Sequence, residues 1–465
     1  MSGARVAEVH NTRAVHEAAD LALRVGEVVL ASGAGAADVT ATVLAVTRAC
    51  GLRQVYVDIT FNTLTVSYQP GLDDPPQTYI RRVTYRGLDY GSLTEVDDLV
   101  DHLVHQTIDR RSARQRIAEI SSAAKPYPRW LVSVASGLVA AGMAILLRGN
   151  LLEIVVAFVT TVLLDQALRQ LARRRIPGFY QQIAGALLAT SVTLVLRALD
   201  VPVRPSTIIV AASIVVLLAG VTIVGAVQDA LTGYYVTASA RTFEAALLTG
   251  GVIAGVSLGL TVGLRFGVEL GVTTRTVFAV NDLLVSLAGG TLVSVAFALN
   301  CYAPLRALLP AGLVGLTAHA VYAPIVAADL GSALGAAVAA IAVGILSFSL
   351  AGRFQVPPLV LVVSGIVGLL PGLTIYRGLF QLLTIRDAEG FFLMLTAASI
   401  AVGLAAGVLL GEYIAQPLKR EARKLETRLA GPRLVGSIRL PNRRERRARK
   451  QQLAAERHRS DEDEQ

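Results

Sequence analysis

Charge is scarce in this 465-residue chain: Asp, Glu, Lys and Arg make up 17% of it, where a soluble chain carries about a quarter. Its two cysteines, Cys50 and Cys301, lie far apart, which excludes a disulfide framework and a thiolate metal site. None of the six histidines belongs to an H-E-x-x-H pattern, and neither a Walker loop nor a paired-Asp protease pattern occurs. ATP hydrolysis and metal catalysis therefore have no residues to carry them, and no metal or other cofactor is expected. A signal peptide is missing too, because Arg24 and Glu27 interrupt the first apolar stretch. Residues 1–128 are expected to stay on the side of the membrane where they are made.

Apolar sequence is what the chain has instead. Hydrophobic residues make up 53% of it, and the mean hydropathy is +0.56. Between the charged ends the sequence resolves into ten apolar runs: 130–147, 151–168, 180–197, 206–227, 244–264, 283–300, 306–326, 331–351, 357–376 and 391–411. Most are about 18–22 residues long, enough to cross a hydrocarbon core of roughly 30 Å. Arg110 to Arg129, Arg169 to Arg175 and Lys419 to Lys424 supply three basic clusters. With ten crossings all three fall on one side, which the positive-inside rule makes cytoplasmic, with both termini. The net charge of +9 and the run "RRERRARK" at 443–450 then read as a solvated or lipid-facing tail rather than a nucleic-acid surface.

The expected fold is a polytopic α-helical membrane protein with a small N-terminal cytosolic α+β domain. Residues 1–128 form that domain, 129–265 a first five-span half, 266–415 a second, and 416–465 a charged, disordered tail. Within the domain, apolar residues at helical spacing predict helices over 16–31 and 36–50. "QVYVDITFN", "TLTVSY" and "TYIRRVTYR" alternate as strands do. A single long helix is predicted from Leu93 to Ser122.

An internal repeat organises the membrane part. Residues 217–223, "LLAGVTI", match 369–375, "LLPGLTI", and at that offset of 152 residues 205–259 agree with 357–411 at 19 of 55 positions. Upstream of 205 the match fades. Span nine follows span four by five crossings, so the copies run in opposite directions, the inverted-repeat pattern of secondary transporters. Pro371 falls near the middle of its span, where it removes one backbone hydrogen bond, and Gly372 loosens the helix further. The break is either a packing kink or a ligand site whose freed carbonyls face protein or water.

Candidate residues follow, each with two readings. Gly220, Thr222, Gly372 and Thr374, with Pro371 and Tyr376, surround the paired breaks and are candidate substrate contacts. Arg377 either snorkels to the outer interface or meets a substrate carboxylate. Asp165 pairs with Arg169 four residues on or carries a coupling proton. Asp229 caps the permeation route or faces water, and His319, the one histidine in the spans, takes a proton or packs neutral. Glu153 reads as interfacial. Glycines at every fourth position, 251 to 263 and 403 to 411, read as close-packing helix faces. The match of "GVSLG" at 255–259 to a hydrolase elbow is accidental, because that motif needs a strand-to-helix turn and this one lies in the middle of a span.

The order of these parts resembles the threonine/serine exporter family. The resemblance runs from "ASGAGAADVTATVLAVTRACGL", "VDITFNTLTVSY" and "YIRRVTYRG" to "VPPLVLVVSGIVGLLPGLTIYRG". Gly33, Asp38, Gly51, Pro357, Leu369, Leu370, Pro371, Gly372, Tyr376 and Gly378 carry it, while the first copy departs from it with Ala219-Gly220 in place of Pro-Gly. It implies export of small hydroxylated amino acids from the cytoplasm, driven by protons, across the lipid bilayer of the cell membrane. A dicarboxylate exporter, a passive channel and a membrane sensor stand as alternatives. A homo-oligomer is left open.

Overall fold

A computed structural model of the chain describes residues 2–71, 74–84, 87–199, 201, 207–218, 220–266, 283–382 and 387–415. The expected tail, Pro205, Ala219 and the connection between the two expected halves lie outside the described residues.

The N-terminal layer opens with α1 (Ser2–Ala31) and α2 (Ala36–Ala49). Gly33 turns the chain between them at φ +91°, where a Cβ would sit 2.5 Å from the Leu88 side chain; only glycine meets both demands. Three antiparallel strands follow in the order β1 (Val55–Thr60), β2 (Thr63–Tyr68), β3 (Gln77–Arg82). Phe61, at φ 54°, helps close the tight β1–β2 hairpin, in which Thr60 pairs with Thr63. Period-two alternation buries Leu64 and Val66 completely and leaves Tyr56 and Ile80 exposed on the other face.

The single helix predicted over Leu93–Ser122 is two: α3 (Tyr90–Val104) and α4 (Arg110–Ser122). Gln106 takes φ 55° between them, and the Asp109 carboxylate caps α4 by accepting from the Ser112 amide at 3.2 Å. The break brings Arg114 back onto α1, 3.6 Å from Glu17 and 3.5 Å from Asp20.

Next come α5 (Arg129–Leu146), α6 (Leu151–Arg173), α7 (Gly178–Ala198), α8 (Thr207–Ile214), α9 (Gly220–Leu231), α10 (Tyr235–Arg265) and α11 (Leu283–Asn300). The chain then continues through α12 (Leu305–Ala327), α13 (Ser332–Phe354), α14 (Pro358–Ile366), α15 (Gly372–Phe380) and α16 (Glu389–Ala415). Among the described residues eight helices are long and apolar enough to cross a membrane, and ten spans result if the bent pairs α8/α9 and α14/α15 each count as one. Large apolar side chains such as Phe243, Leu284, Leu309 and Phe392 point outward, while alanines fill much of the interior. That distribution suits lipid as the solvent, with small residues letting backbones approach. The glycine faces do this at closest range. A Cβ on Gly255 would lie 2.3 Å from the Ile183 carbonyl of α7, and one on Gly407 would lie 2.4 Å from the Ala337 carbonyl of α13.

The bounds of α5 and α6 recur 154 residues later as those of α11 and α12. The left-handed residues between helices recur at the same offset: Arg148 (φ 63°) with Tyr302 (φ 60°), and Arg175 (φ 57°) with Asp329 (φ 56°). Downstream, Gly220 and Gly372 start α9 and α15 152 residues apart. The two-residue slip explains why an ungapped comparison fades above residue 205.

The N-terminal layer rests on two turns of the helical part. At the α9–α10 turn the Asp229 carboxylate accepts from the Ala36 amide at 2.8 Å, and Arg241 donates to the Ala34 carbonyl at 3.1 Å. Nearby, the Thr237 hydroxyl accepts from the Phe61 amide and donates to the Ile59 carbonyl, both at 3.0 Å. At the α11–α12 turn the Tyr90 amide donates to the Cys301 carbonyl and the Tyr127 hydroxyl to the Ala303 carbonyl, each at 2.8 Å.

Candidate functional site

The break predicted at Pro371 is present. Helix α14 tightens into a 3-10 turn at Val367–Leu369, Leu370 is extended, and α15 restarts at Gly372 with its axis bent by 42°. Proline cannot donate to the preceding turn, so a regular helix cannot run through it. The first copy does the same: α8, a 3-10 turn at Val215–Leu217, extended Leu218, then α9, bent by 49°. The two breaks touch reciprocally. A Cβ on Gly220 would lie 3.0 Å from Leu370 Cβ, and one on Gly372 would lie 3.0 Å from Leu218 Cβ. Each glycine therefore admits the leucine that precedes the other break.

A cavity opens beside the second break, lined by His319, Pro371, Thr374 and Arg377 together with Arg148 and Tyr322. No Asp or Glu is among its described lining residues. His319 is 2% exposed, and its Nδ1 lies 3.0 Å from the Gly315 carbonyl. A carbonyl only accepts, so Nδ1 carries hydrogen and Nε2 is the nitrogen at which a proton comes and goes. Two glycines make room for the ring. A Cβ on Gly290 would lie 2.1 Å from Nδ1, and one on Gly368 would lie 2.8 Å from Cε1.

Four of the sequence candidates thus meet in one place: His319, Pro371, Thr374 and Arg377. Gly372 starts the helix that carries two of them. Tyr376 is not among the lining residues and packs instead against the apolar cluster that includes Val367 and Leu373. Gly220 and Thr222 belong to the first copy, also outside the lining. Asp165 sits 2.6 Å from Arg169, in the helical pair its spacing offered. Asp229 does not face water: its side chain is 1% exposed, 2.7 Å from Arg241, at the joint with the N-terminal layer. Glu153, expected at the interface, is 1% exposed. Covering by the α5–α6 turn and α8 is the reason, which hydropathy along one segment does not reveal.

Sequence reasoning missed Arg148, Gly290 and Gly368 as parts of the site. Arg148 lies in a turn between two apolar runs, and two glycines among 41 carry no signal until the imidazole between them is seen.

A threonine/serine exporter family model matches residues 20–263, and a second threonine/serine exporter model matches residues 287–414. A protein of Mycobacterium tuberculosis named "Probable threonine/serine exporter" is 38% identical over 433 residues, 90% of this chain and 81% of that one. The "Threonine/serine exporter" of Corynebacterium glutamicum is 35% identical over 411 residues, 87% of this chain and 83% of that one. A half-length Escherichia coli protein named "Probable succinate transporter subunit YjjP" is 29% identical over 236 residues, 51% of this chain and 91% of its own. No solved structure matches.

Proposed function

Because the chain belongs to the threonine/serine exporter family, we propose that it exports small amino acids such as threonine and serine through the cavity beside Pro371, driven by protons. The observation that carries this reading is the meeting of Arg148, Arg377, Thr374 and His319 at a broken helix. An amino acid brings a carboxylate, an ammonium and, in threonine or serine, a hydroxyl. A guanidinium fork suits the carboxylate, and the Thr374 hydroxyl together with backbone groups at the break suits the rest. The Nε2 of His319 accepts a hydrogen bond when neutral and donates one when charged, so protonation there alters what the cavity holds. Asp165 and Asp229 are less suited to that role, since each already faces an arginine.

In this reading the two broken spans cross the membrane in opposite directions and act as inverted gates. Their reciprocal glycine–leucine contacts support a pseudo-two-fold axis between them. Alternating access would swing each half-helix about its own break. The N-terminal layer and both termini lie on the cytoplasmic side in this arrangement, as the basic clusters require.

One observation favours a second reading. Two arginines line the cavity and no described carboxylate does, a balance that also suits a dicarboxylate such as succinate. Counterflow in proteoliposomes separates the two. Liposomes loaded with unlabelled threonine should transiently accumulate labelled threonine. Accumulation with succinate alone would move the cargo to dicarboxylates. Accumulation of neither by folded protein would overturn the exporter reading in favour of a channel or a sensor.

A further inference from the structure

Helices α5 and α6 share their bounds with α11 and α12 at an offset of 154 residues, so their residues correspond one to one. His319 corresponds to Asp165 and Ala323 to Arg169. Gly315, whose carbonyl faces the His319 ring, corresponds to Thr161. At the breaks, where the offset is 152, Thr374 corresponds to Thr222 and Arg377 to Gly225. The matching residues stand toward opposite ends of the bundle. Helix α12 starts at the joint with the N-terminal layer and carries His319 about 21 Å away from it. Helix α6 starts at the far end and carries Asp165 about 21 Å back toward the layer.

The chemistry differs between the two places. Asp165 and Arg169 face each other at 2.6 Å, with side chains 21% and 32% exposed. Arg169 also donates to the Ser133 hydroxyl and, at 3.3 Å, to the Arg129 carbonyl of α5. One turn before Asp165, the Thr161 hydroxyl is fully buried with no hydrogen-bond partner among the described residues. One turn beyond Ser133, Ser136 donates to Asn300 Oδ1 of α11 at 2.8 Å. Tyr302, the counterpart of the cavity-lining Arg148, lies beneath the N-terminal layer: Lys125 Nζ stands 5.7 Å from its ring centre and pairs with Asp89.

We propose that Asp165 and Arg169, with Thr161, form the cytoplasmic-side counterpart of the His319 cavity, a half-site that admits zwitterionic amino acids and rejects dicarboxylates. The substrate carboxylate takes the Arg169 fork, its ammonium takes Asp165, and Thr161 meets a side-chain hydroxyl. A dicarboxylate would set its second carboxylate against Asp165, and like charges so placed are strongly unfavourable. The far cavity has two arginines and no described carboxylate, so selection for an ammonium belongs to the entry side. In this structure the Ser133, Ser136–Asn300 and Lys125–Tyr302 contacts close the half-site while the far cavity is open, as inverted copies require of one state. This inference rests on the exporter reading above and names the substrate class that the entry selects.

Competition against threonine counterflow in proteoliposomes tests the selection. The probes are succinate and 3-hydroxybutyrate, which is threonine without its ammonium. The parent should prefer threonine to both. Asp165→Asn is expected to shrink the preference over 3-hydroxybutyrate about tenfold, and Asp165→Glu to restore it. A pair that only holds α6 in place would change the amount of active protein and leave the preference alone, and an unchanged preference in Asp165→Asn overturns the proposal. Val132, 7% exposed, is the counterpart of the cavity-lining Ser286 and serves as reporter of the site. With Cys50 and Cys301 replaced by serine, Val132→Cys is labelled by a membrane-impermeant maleimide from the side bearing the N-terminal layer. Threonine at ten times its Kd should slow that labelling about tenfold, and succinate should not. Protection by succinate, or by neither compound, refutes the half-site even if Asp165→Asn fails to fold. Absence of threonine counterflow in the parent would overturn the exporter reading, whereas protection of Val132→Cys is read without transport and still decides the half-site.

Discussion

Arg377 and His319 show how much of a side chain's role lies outside its own segment. Twenty residues after Pro357, Arg377 could as well have snorkelled, and only the bend at Leu370–Pro371 turns it toward the same cavity as Arg148. Lysine at 377 keeps the charge and loses the planar two-donor fork. Arg377→Lys is therefore expected to weaken threonine affinity about tenfold, roughly 1.4 kcal/mol, with folding unchanged. Counterflow at graded threonine concentrations reads this directly, and unaltered affinity would remove Arg377 from the substrate contacts. The Asp165–Arg169 pair was legible because both partners lie four residues apart on one helix. Asp229 and Glu153 were not, because their surroundings come from segments nearly two hundred residues away or from a turn folding back.

One carboxyl in the N-terminal layer makes a pH prediction. Burial, with Asp98 and Asp101 beside it, pushes Asp97 up to about 7. In the unfolded chain it titrates near 4, so between about pH 4 and 7 the folded protein holds more protons than the unfolded one. Stability from this group is full below pH 4 and falls as pH rises through that window. Asp97→Asn has no proton to lose. It should melt above the parent at pH 8 and level with it at pH 4, as followed by differential scanning fluorimetry of the detergent-purified protein.

Among the elements, the glycine faces were the most legible in sequence, since a four-residue recurrence within an apolar helix has one common use. The structure adds which neighbour each glycine faces. Gly255→Ala drives a methyl group into the Ile183 carbonyl, whereas Gly250 has nothing within 4 Å of a built Cβ. Overpacking of this kind costs about 1–3 kcal/mol. Gly255→Ala should lower the melting temperature, and Gly250→Ala should leave it at or slightly above the parent's. Equal effects would mean that α7 and α10 do not pack this closely. The paired breaks were half legible. Pro371 announced the second, but α8/α9 bends as sharply without an equivalent proline, and only its homology to the second copy pointed there. The long helix expected over Leu93–Ser122 fails for a local reason: Asp109 offers a cap, and continuous helical periodicity conceals it.

For the whole molecule, the sequence repeat exposed the paired broken segments and the helix after each, while the helix bounds extend the recurrence upstream to α5 and α6 against α11 and α12. A two-residue change of offset was enough to hide the remainder, because low-complexity apolar segments give little similarity to re-register on. The joint between the N-terminal layer and the helical part was invisible, resting on a buried pair, Asp229 with Arg241. Arg241→Ala leaves a buried carboxylate without its cation and is expected to cost about 3–5 kcal/mol. Asp229→Leu with Arg241→Met, removing both charges, should cost much less. Hydrogen exchange at residues 32–40 would rise in the first variant and far less in the second. Equal protection in all three proteins would show that the pair does not hold the layer in place.

That joint is written largely in main chain on the N-terminal side, with Thr40, Asp98 and Tyr127 as its side-chain partners. Ala34 and Ile59 offer carbonyls, and Ala36, Phe61 and Tyr90 offer amides. Side chains at these positions can drift without breaking a hydrogen bond, so an alanine scan along this surface would register mainly at Thr40, Asp98 and Tyr127. Covariation between the two parts would be faint for the same reason. The vulnerable positions lie on the other side, at Asp229, Thr237 and Arg241, and the disruptive change on this side is proline, which deletes the amide itself.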